Sequence, residues 1–212
     1  MKTDQLIEML STNLDPVKGG QLKKTLALTL VAGGVAAFCV MLSTVGLRTD
    51  GSGFHIGFLV LKLVFMLSLI GTGTALLTKL IRPGQDEKIL YKVILLVFLA
   101  IGVAGTVALA VQPSAAWRPM ILGTEWAMCA FCIPLFAVIP FAALIWALRR
   151  GAPTNLRRAG AIAGLVAGAL GAVAYGFHCP DDSIPFIALW YGAMVGLCAL
   201  IGAMLGPRLL RW

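Results

Sequence analysis

The sequence predicts an all-α polytopic membrane protein, a bundle of six transmembrane helices preceded by a short amphipathic helix. Three observations carry this reading. The 212 residues are 59% hydrophobic with a mean hydropathy of +0.93, well above the range of soluble chains. Apolar runs of 18 or more residues recur along the whole length, each able to cross a hydrocarbon core of about 30 Å. The 17 basic residues, which give a net charge of +8, stand in small groups between those runs. That pattern fits orientation of membrane spans and argues against a nucleic-acid-binding patch.

The N-terminal stretch comes first. Residues 3–14 place Leu6, Ile7, Leu10 and Leu14 on one stripe and Asp4, Gln5, Glu8, Ser11 and Thr12 opposite, the period of a short amphipathic helix. Thr3 or Asp4 can cap it, and Pro16 with Gly19 and Gly20 ends it. Three acids and a proline before the first apolar run predict that no cleavable signal peptide is present. The expected division is a cytoplasmic segment over 1–24 and a membrane domain over 25–212.

Six apolar segments follow, at about 25–46, 54–78, 88–111, 120–147, 159–177 and 184–205. The N-terminal tail, the second and fourth connectors and the C-terminal tail together hold 14 Lys and Arg. The opposite side has only Arg48 and Arg118. Both termini are therefore expected in the cytoplasm. Lys62 lies inside the second segment, where a charge needs a partner. Glu125, near the outer end of the fourth segment, is the expected one.

In the fifth and sixth segments Gly160, Gly164 and Gly168 recur every four residues, as do Gly192 with Gly196 and Gly202 with Gly206. Such spacing predicts close helix packing in lipid. Pro134 and Pro140 predict bends in the fourth segment.

The chemistry is concentrated in Phe177-His178-Cys179-Pro180-Asp181-Asp182-Ser183, a polar connector between two apolar segments. A Cys-x-x-Cys pair, Cys129 and Cys132, lies in an apolar segment that should reach the same side. Cys39 and Cys198 fall within apolar segments and read as small buried thiols. Cys129, Cys132, Cys179 and His178 are the candidate sensing groups. Their thiols suit a soft metal held transiently by Cys129 and Cys179, or a disulfide that forms and exchanges. The competing reading of Asp181 and Asp182 is a cap on the sixth segment that also keeps the loop wet. The competing readings are packing residues, a small thiol–disulfide oxidoreductase, or a transporter. A thiol-oxidising enzyme would call for two communicating cysteine pairs, and a transporter for more polar groups at mid-membrane. No phosphate-binding glycine loop or nucleophile elbow is present, and no cofactor is expected. The sequence reads as a regulator.

Several stretches together resemble one family: Met1-Lys2-Thr3-Asp4-Gln5-Leu6-Ile7, the block from Ile133-Pro134-Leu135 to Arg149-Arg150-Gly151-Ala152-Pro153, Tyr175 through Cys179-Pro180, Phe186 through Gly192, and the closing Leu209-Leu210-Arg211-Trp212. They are similar to the NrsF-type proteins, six-helix inner-membrane anti-sigma factors of extracytoplasmic function sigma factors. The resemblance implies a bacterial inner-membrane protein that holds a sigma factor on its cytoplasmic face until heavy metals or oxidants are registered. It does not imply direct nucleic-acid binding. It places the family's two thiols on Cys129 and Cys179, with Cys132 as an addition. The apolar stripe of Leu6, Ile7, Leu10 and Leu14 is the expected face for the sigma factor, since such a stripe on a short helix fills a partner's groove.

Overall fold

The computed structural model describes residues 21–48, 56–81, 87–151 and 153–211. The amphipathic stretch with Leu6, Ile7, Leu10 and Leu14 lies outside them. Six helices long and apolar enough to cross a membrane occur among the described residues. In chain order the helices are α1 Gln21–Thr44, α2 Ile56–Leu80, α3 Lys88–Ala110, α4 Trp117–Leu122, α5 Trp126–Arg149, α6 Leu156–Gly176 and α7 Ile184–Leu209.

The six long helices match the six apolar segments in order. One detail differs from expectation. The fourth segment is broken near its start: Gly123, at φ +59° and ψ −161°, separates the short α4 from α5. That region of backbone space is open to glycine and almost nothing else. Past the break, α5 runs through both Pro134 and Pro140 as one helix. In α7 the backbone widens into a π-turn over Ile187–Tyr191 before the regular helix resumes at Gly192.

Helix α6 is the axis of the bundle. It packs against α7, α5, α2 and α1, whereas α3 leans on α2 and the start of α7. The glycine spacing explains this placement. A Cβ on Gly160 would strike the backbone of Gly202 and Gly206, and one on Gly164 the backbone of Cys198. On another face of α6, a Cβ at Gly171 would sit 2.7 Å from the Ile133 carbonyl oxygen of α5. Backbones can meet this closely only where side chains are absent. Gly196, by contrast, faces open space, so the seam uses Gly202 and Gly206 but not that position.

The outer surface is apolar. Leu28, Val31 and Val35 of α1, Leu95, Leu96 and Leu99 of α3 and Met204 of α7 are all exposed, as suits a surface facing lipid and not water. Cys39 shares that surface, correcting the expectation that it is buried. In lipid an apolar position need not face a core. Cys198 is buried as expected, beneath the α6–α7 seam.

The up-and-down path gives the bundle two ends. Arg48 just past α1, the α4–α5 break and the loop between α6 and α7 meet at one, the loop end. The starts of α3 and α6 and the ends of α5 and α7 meet at the other, the tail end. There Arg158 lies 3.9 Å from Glu87 and the Arg149 Nε donates to the Leu209 carbonyl at 2.6 Å.

Candidate functional site

The loop end is organised by residues 177–183, which reach into four neighbouring elements. Ser183 starts α7, its hydroxyl accepting the Phe186 amide at 3.3 Å and donating to the Met120 carbonyl of α4 at 2.6 Å. One sequence reading had Asp181 and Asp182 as an alternative source of this cap. Both carboxylates point elsewhere, because Ser183 already satisfies the free amide of α7.

Asp181 caps a different helix. Its Oδ1 accepts the Thr124 amide at 2.9 Å and the Thr124 hydroxyl at 3.0 Å, and its Oδ2 accepts the Glu125 amide at 2.8 Å. A carboxylate on those amides complements the positive end of α5. A side chain on Gly123 would collide with the same carboxylate, so this glycine answers both a backbone angle and a close approach.

Asp182 gathers two cations. Arg48 donates from Nη1 to Oδ2 at 2.8 Å, and Lys62 donates from Nζ to Oδ1 at 3.2 Å. Lys62 also donates to the Cys179 carbonyl at 3.3 Å and lies 5.8 Å from the Tyr191 ring centre. It is only 2% exposed. The pairing of Lys62 with Glu125 expected from depth is thus corrected: its carboxylate is Asp182. The loop folds back into the bundle and delivers Asp182 to the level of Lys62, about 9 Å along α2 from Ile56. Breaking such a buried pair leaves a charge without solvation and costs about 3–5 kcal/mol.

Beneath this knot lie the thiols. Cys129, Cys132 and Cys179 are all buried and free. Cys129 and Cys179 are close enough for their charges to interact, and both lie within the field of Lys62. Cys132, one turn further along α5, is nearer to Glu125. Burial pushes the Cys179 thiol above its ordinary range, and the Lys62 ammonium pulls the other way. Burial thus favours the neutral thiol, and the nearby Lys62 favours its ionisation.

His178 caps a neighbour. Its Nδ1 stands 3.1 Å from the Gly46 carbonyl oxygen, and because a carbonyl only accepts, Nδ1 carries a proton and donates it. Gly46 itself, at φ +73°, closes α1 by donating its amide to Met41. An open cleft of about 500 Å³ passes His178 and Pro180 on either side of Cys179, with Arg48 and Glu125 on its walls. Among the described residues no three His, Cys, Asp or Glu side chains are grouped to hold a metal ion.

Two neighbours of the thiols escaped the sequence reading. Tyr175 of α6 and Tyr191 of α7 are fully buried, with ring centres 6.2 Å apart, and neither hydroxyl has a hydrogen-bond partner. Their presence in apolar segments was visible, but the π-turn that positions Tyr191 has no signature in composition.

This geometry occurs on a chain whose relatives are identifiable. The NrsF family, described as negative regulator of sigma F, matches residues 10–212. The chain belongs to the NrsF family. It is 32% identical over 218 residues to the probable anti-sigma-F factor NrsF of Azospira oryzae. It is 33% identical over 219 residues to the anti-sigma-F factor NrsF of Caulobacter vibrioides. Each comparison covers the whole of both chains. No solved structure matches. The family relationship read from the sequence motifs is therefore shown, and the loop end is a feature of an NrsF-family membrane protein.

Proposed function

We propose that this NrsF-family chain is a membrane-bound anti-sigma factor that sequesters an extracytoplasmic function sigma factor and releases it when oxidant or heavy-metal stress reaches its outward-facing cysteines. The observation that carries the reading is the full-length match to the family and to two anti-sigma-F factors. The thiols supply the input. Cys129 and Cys179 are buried together under the loop that ties α1, α2, α5 and α7, beside a cleft open to the outside of the bundle. Cys132 and His178 are auxiliary: one adds a third thiol on α5, the other fixes the loop to Gly46.

Linking or modifying the thiols would shift α5 and the loop relative to each other. Helix α5 runs from that site to Arg149 and Arg150 at the tail end. A coupling of roughly 1–3 kcal/mol between the two ends is enough to change partner affinity by the ordinary allosteric range.

The termini and basic connectors face the cytoplasm of a bacterium, the loop end faces outward, and the chain resides in the inner membrane. The distribution of Lys and Arg supports that orientation. Residues 1–24 hold the sigma factor, with Leu6, Ile7, Leu10 and Leu14 as the apolar face, because a short amphipathic helix is marginal alone and is ordered by a groove that accepts it. The test is co-purification from detergent. The parent should bring down a sigma factor, and Leu6→Asp with Leu10→Asp should lose it while staying in the membrane. Unchanged capture by the double variant would remove the helix from the binding surface.

A further inference from the structure

We propose that the groove between α5 and α7 binds one acyl chain of an anionic phospholipid whose headgroup rests on the arginines at the tail end. The inference goes beyond the anti-sigma reading and does not depend on it. The groove holds about 360 Å³. Pro134, Val138 and Phe141 of α5 form one wall, Ile201 of α7 forms the other, and Gly164 and Ala167 of α6 form the floor. Its depth follows from the sequence, since the small residues of α6 lie between the larger side chains of its neighbours. Val138 and Ile201 are exposed, so the groove opens toward lipid. No charged side chain lines it, and it suits hydrocarbon and not a polar headgroup.

The size of the groove selects the occupant. It runs from Ala130 to Phe141, ~16 Å along α5. Spread over that length, 360 Å³ is a slot of about 20 Å² in section. A helix with its side chains is about 10–12 Å across and does not enter such a slot. A single hydrocarbon chain does, because its carbons pack at about 4 Å from their neighbours.

Charge sets the orientation. Toward the tail end, Arg157, Arg208 and Arg149 stand seven, seven and eleven residues from Gly164, Ile201 and Val138, close to whole turns of a helix. Each therefore ends a stripe that lines the groove. The separations are ~10 Å on α6 and α7 and ~16 Å on α5, comparable to the ~15 Å depth of one leaflet's hydrocarbon. Arg149 donates its Nε to the Leu209 carbonyl across the ends of α5 and α7. Arg150 lies over the exposed Trp146, an indole at the level where headgroups meet hydrocarbon. Arg149, Arg150, Arg157 and Arg208 are all exposed. Among the described residues Glu87 is the one acid at this end, and it faces Arg158. A phosphate at this rim meets guanidinium groups, which bind it by paired charge-assisted hydrogen bonds, with no competing carboxylate beside them.

The test titrates the full chain in detergent micelles with phosphatidylglycerol, or with phosphatidylcholine of the same chains, and counts the lipids retained by native mass spectrometry. The parent should retain one phosphatidylglycerol at least about fivefold more tightly than phosphatidylcholine, the worth of about one arginine at a membrane surface. Arg149→Gln with Arg150→Gln should remove that preference, and Arg149→Lys with Arg150→Lys should keep most of it. Val138→Trp with Ile201→Trp narrows the groove from both walls at lipid-exposed positions. It should weaken both lipids alike, by about fivefold, through lost chain contacts, and leave the preference between them intact. If that pair does not fold, Val138→Trp alone decides. Equal retention of the two lipids, or a preference that survives the loss of both arginines, would overturn the headgroup site. Unchanged retention in the groove variants would overturn the chain site. So would a parent that carries no lipid and runs as a dimer which the groove variants dissociate, since the groove would then belong to a second copy. No sigma factor enters this assay, so failure of the lipid site and failure of the anti-sigma reading are separate results.

Discussion

The two ends of the bundle are held by different physics. At the loop end, Asp182 binds Arg48 and Lys62, with the three side chains at 10%, 7% and 3% exposure. At the tail end, Arg158 faces Glu87 at 3.9 Å with 62% and 23% exposure, and the Arg150 guanidinium lies 3.9 Å from the Trp146 ring centre. Buried pairs lose several kcal/mol when one partner is removed, whereas exposed pairs are worth about 0–1 kcal/mol. The comparison teaches where the molecule invests specificity. The loop end admits one arrangement of its charges, whereas the tail end leaves Arg149, Arg150, Arg157 and Arg158 exposed.

Removing Asp182 should therefore produce the largest effect. Asp182→Ala strips both cations of their carboxylate, and unfolding in detergent followed by circular dichroism should show a loss of about 3–5 kcal/mol. A loss below 1 kcal/mol would show that Lys62 is solvated some other way, and the contrast between the ends would collapse. Gly123→Ala comes next. The new methyl meets a φ of +59° and the Asp181 carboxylate, and the expected cost is about 1–3 kcal/mol. Asp181→Ala removes only the cap of α5, for about 0.5–2 kcal/mol. Its loss should be smaller than that of Asp182→Ala although both are loop carboxylates, which sharpens the distinction between capping a helix and neutralising a buried charge. At the tail end, Arg158→Gln should change stability by less than about 0.5 kcal/mol. A larger change would mean that the Glu87 pair helps to hold α3 against α6.

The fold was largely legible. Six apolar runs of spanning length leave little choice of architecture, and the basic residues between them divide the connectors into two sets. The close α6–α7 contact followed from Gly160, Gly164, Gly202 and Gly206. The partnership of Lys62 was not legible, because depth along a helix says nothing about a loop that folds back between helices. Glu125 stood at a plausible level, yet Asp182 arrived from the loop. The same blind spot hid the cap of α5: Asp181 serves it from 56 residues away in sequence from Glu125, and local reasoning sees only the adjacent helix. Cys39 shows a third limit, since apolar character separates membrane from water but not lipid from core. The cysteine loop stood out because polar groups are scarce around it, while the buried tyrosines beside it looked like any aromatic residue in an apolar segment.

The central claim is that the loop end receives the signal through Cys129 and Cys179 and the tail end delivers it. It is tested most directly by replacing the two cysteines with Ser, singly and together, in cells carrying a reporter of the sigma factor's target promoter, with and without oxidant or a soft metal ion. The account predicts that each single variant and the double variant lose the induced rise in transcription while the protein remains in the membrane. Variants that respond like the parent would contradict it and leave the two thiols as packing residues beneath the loop.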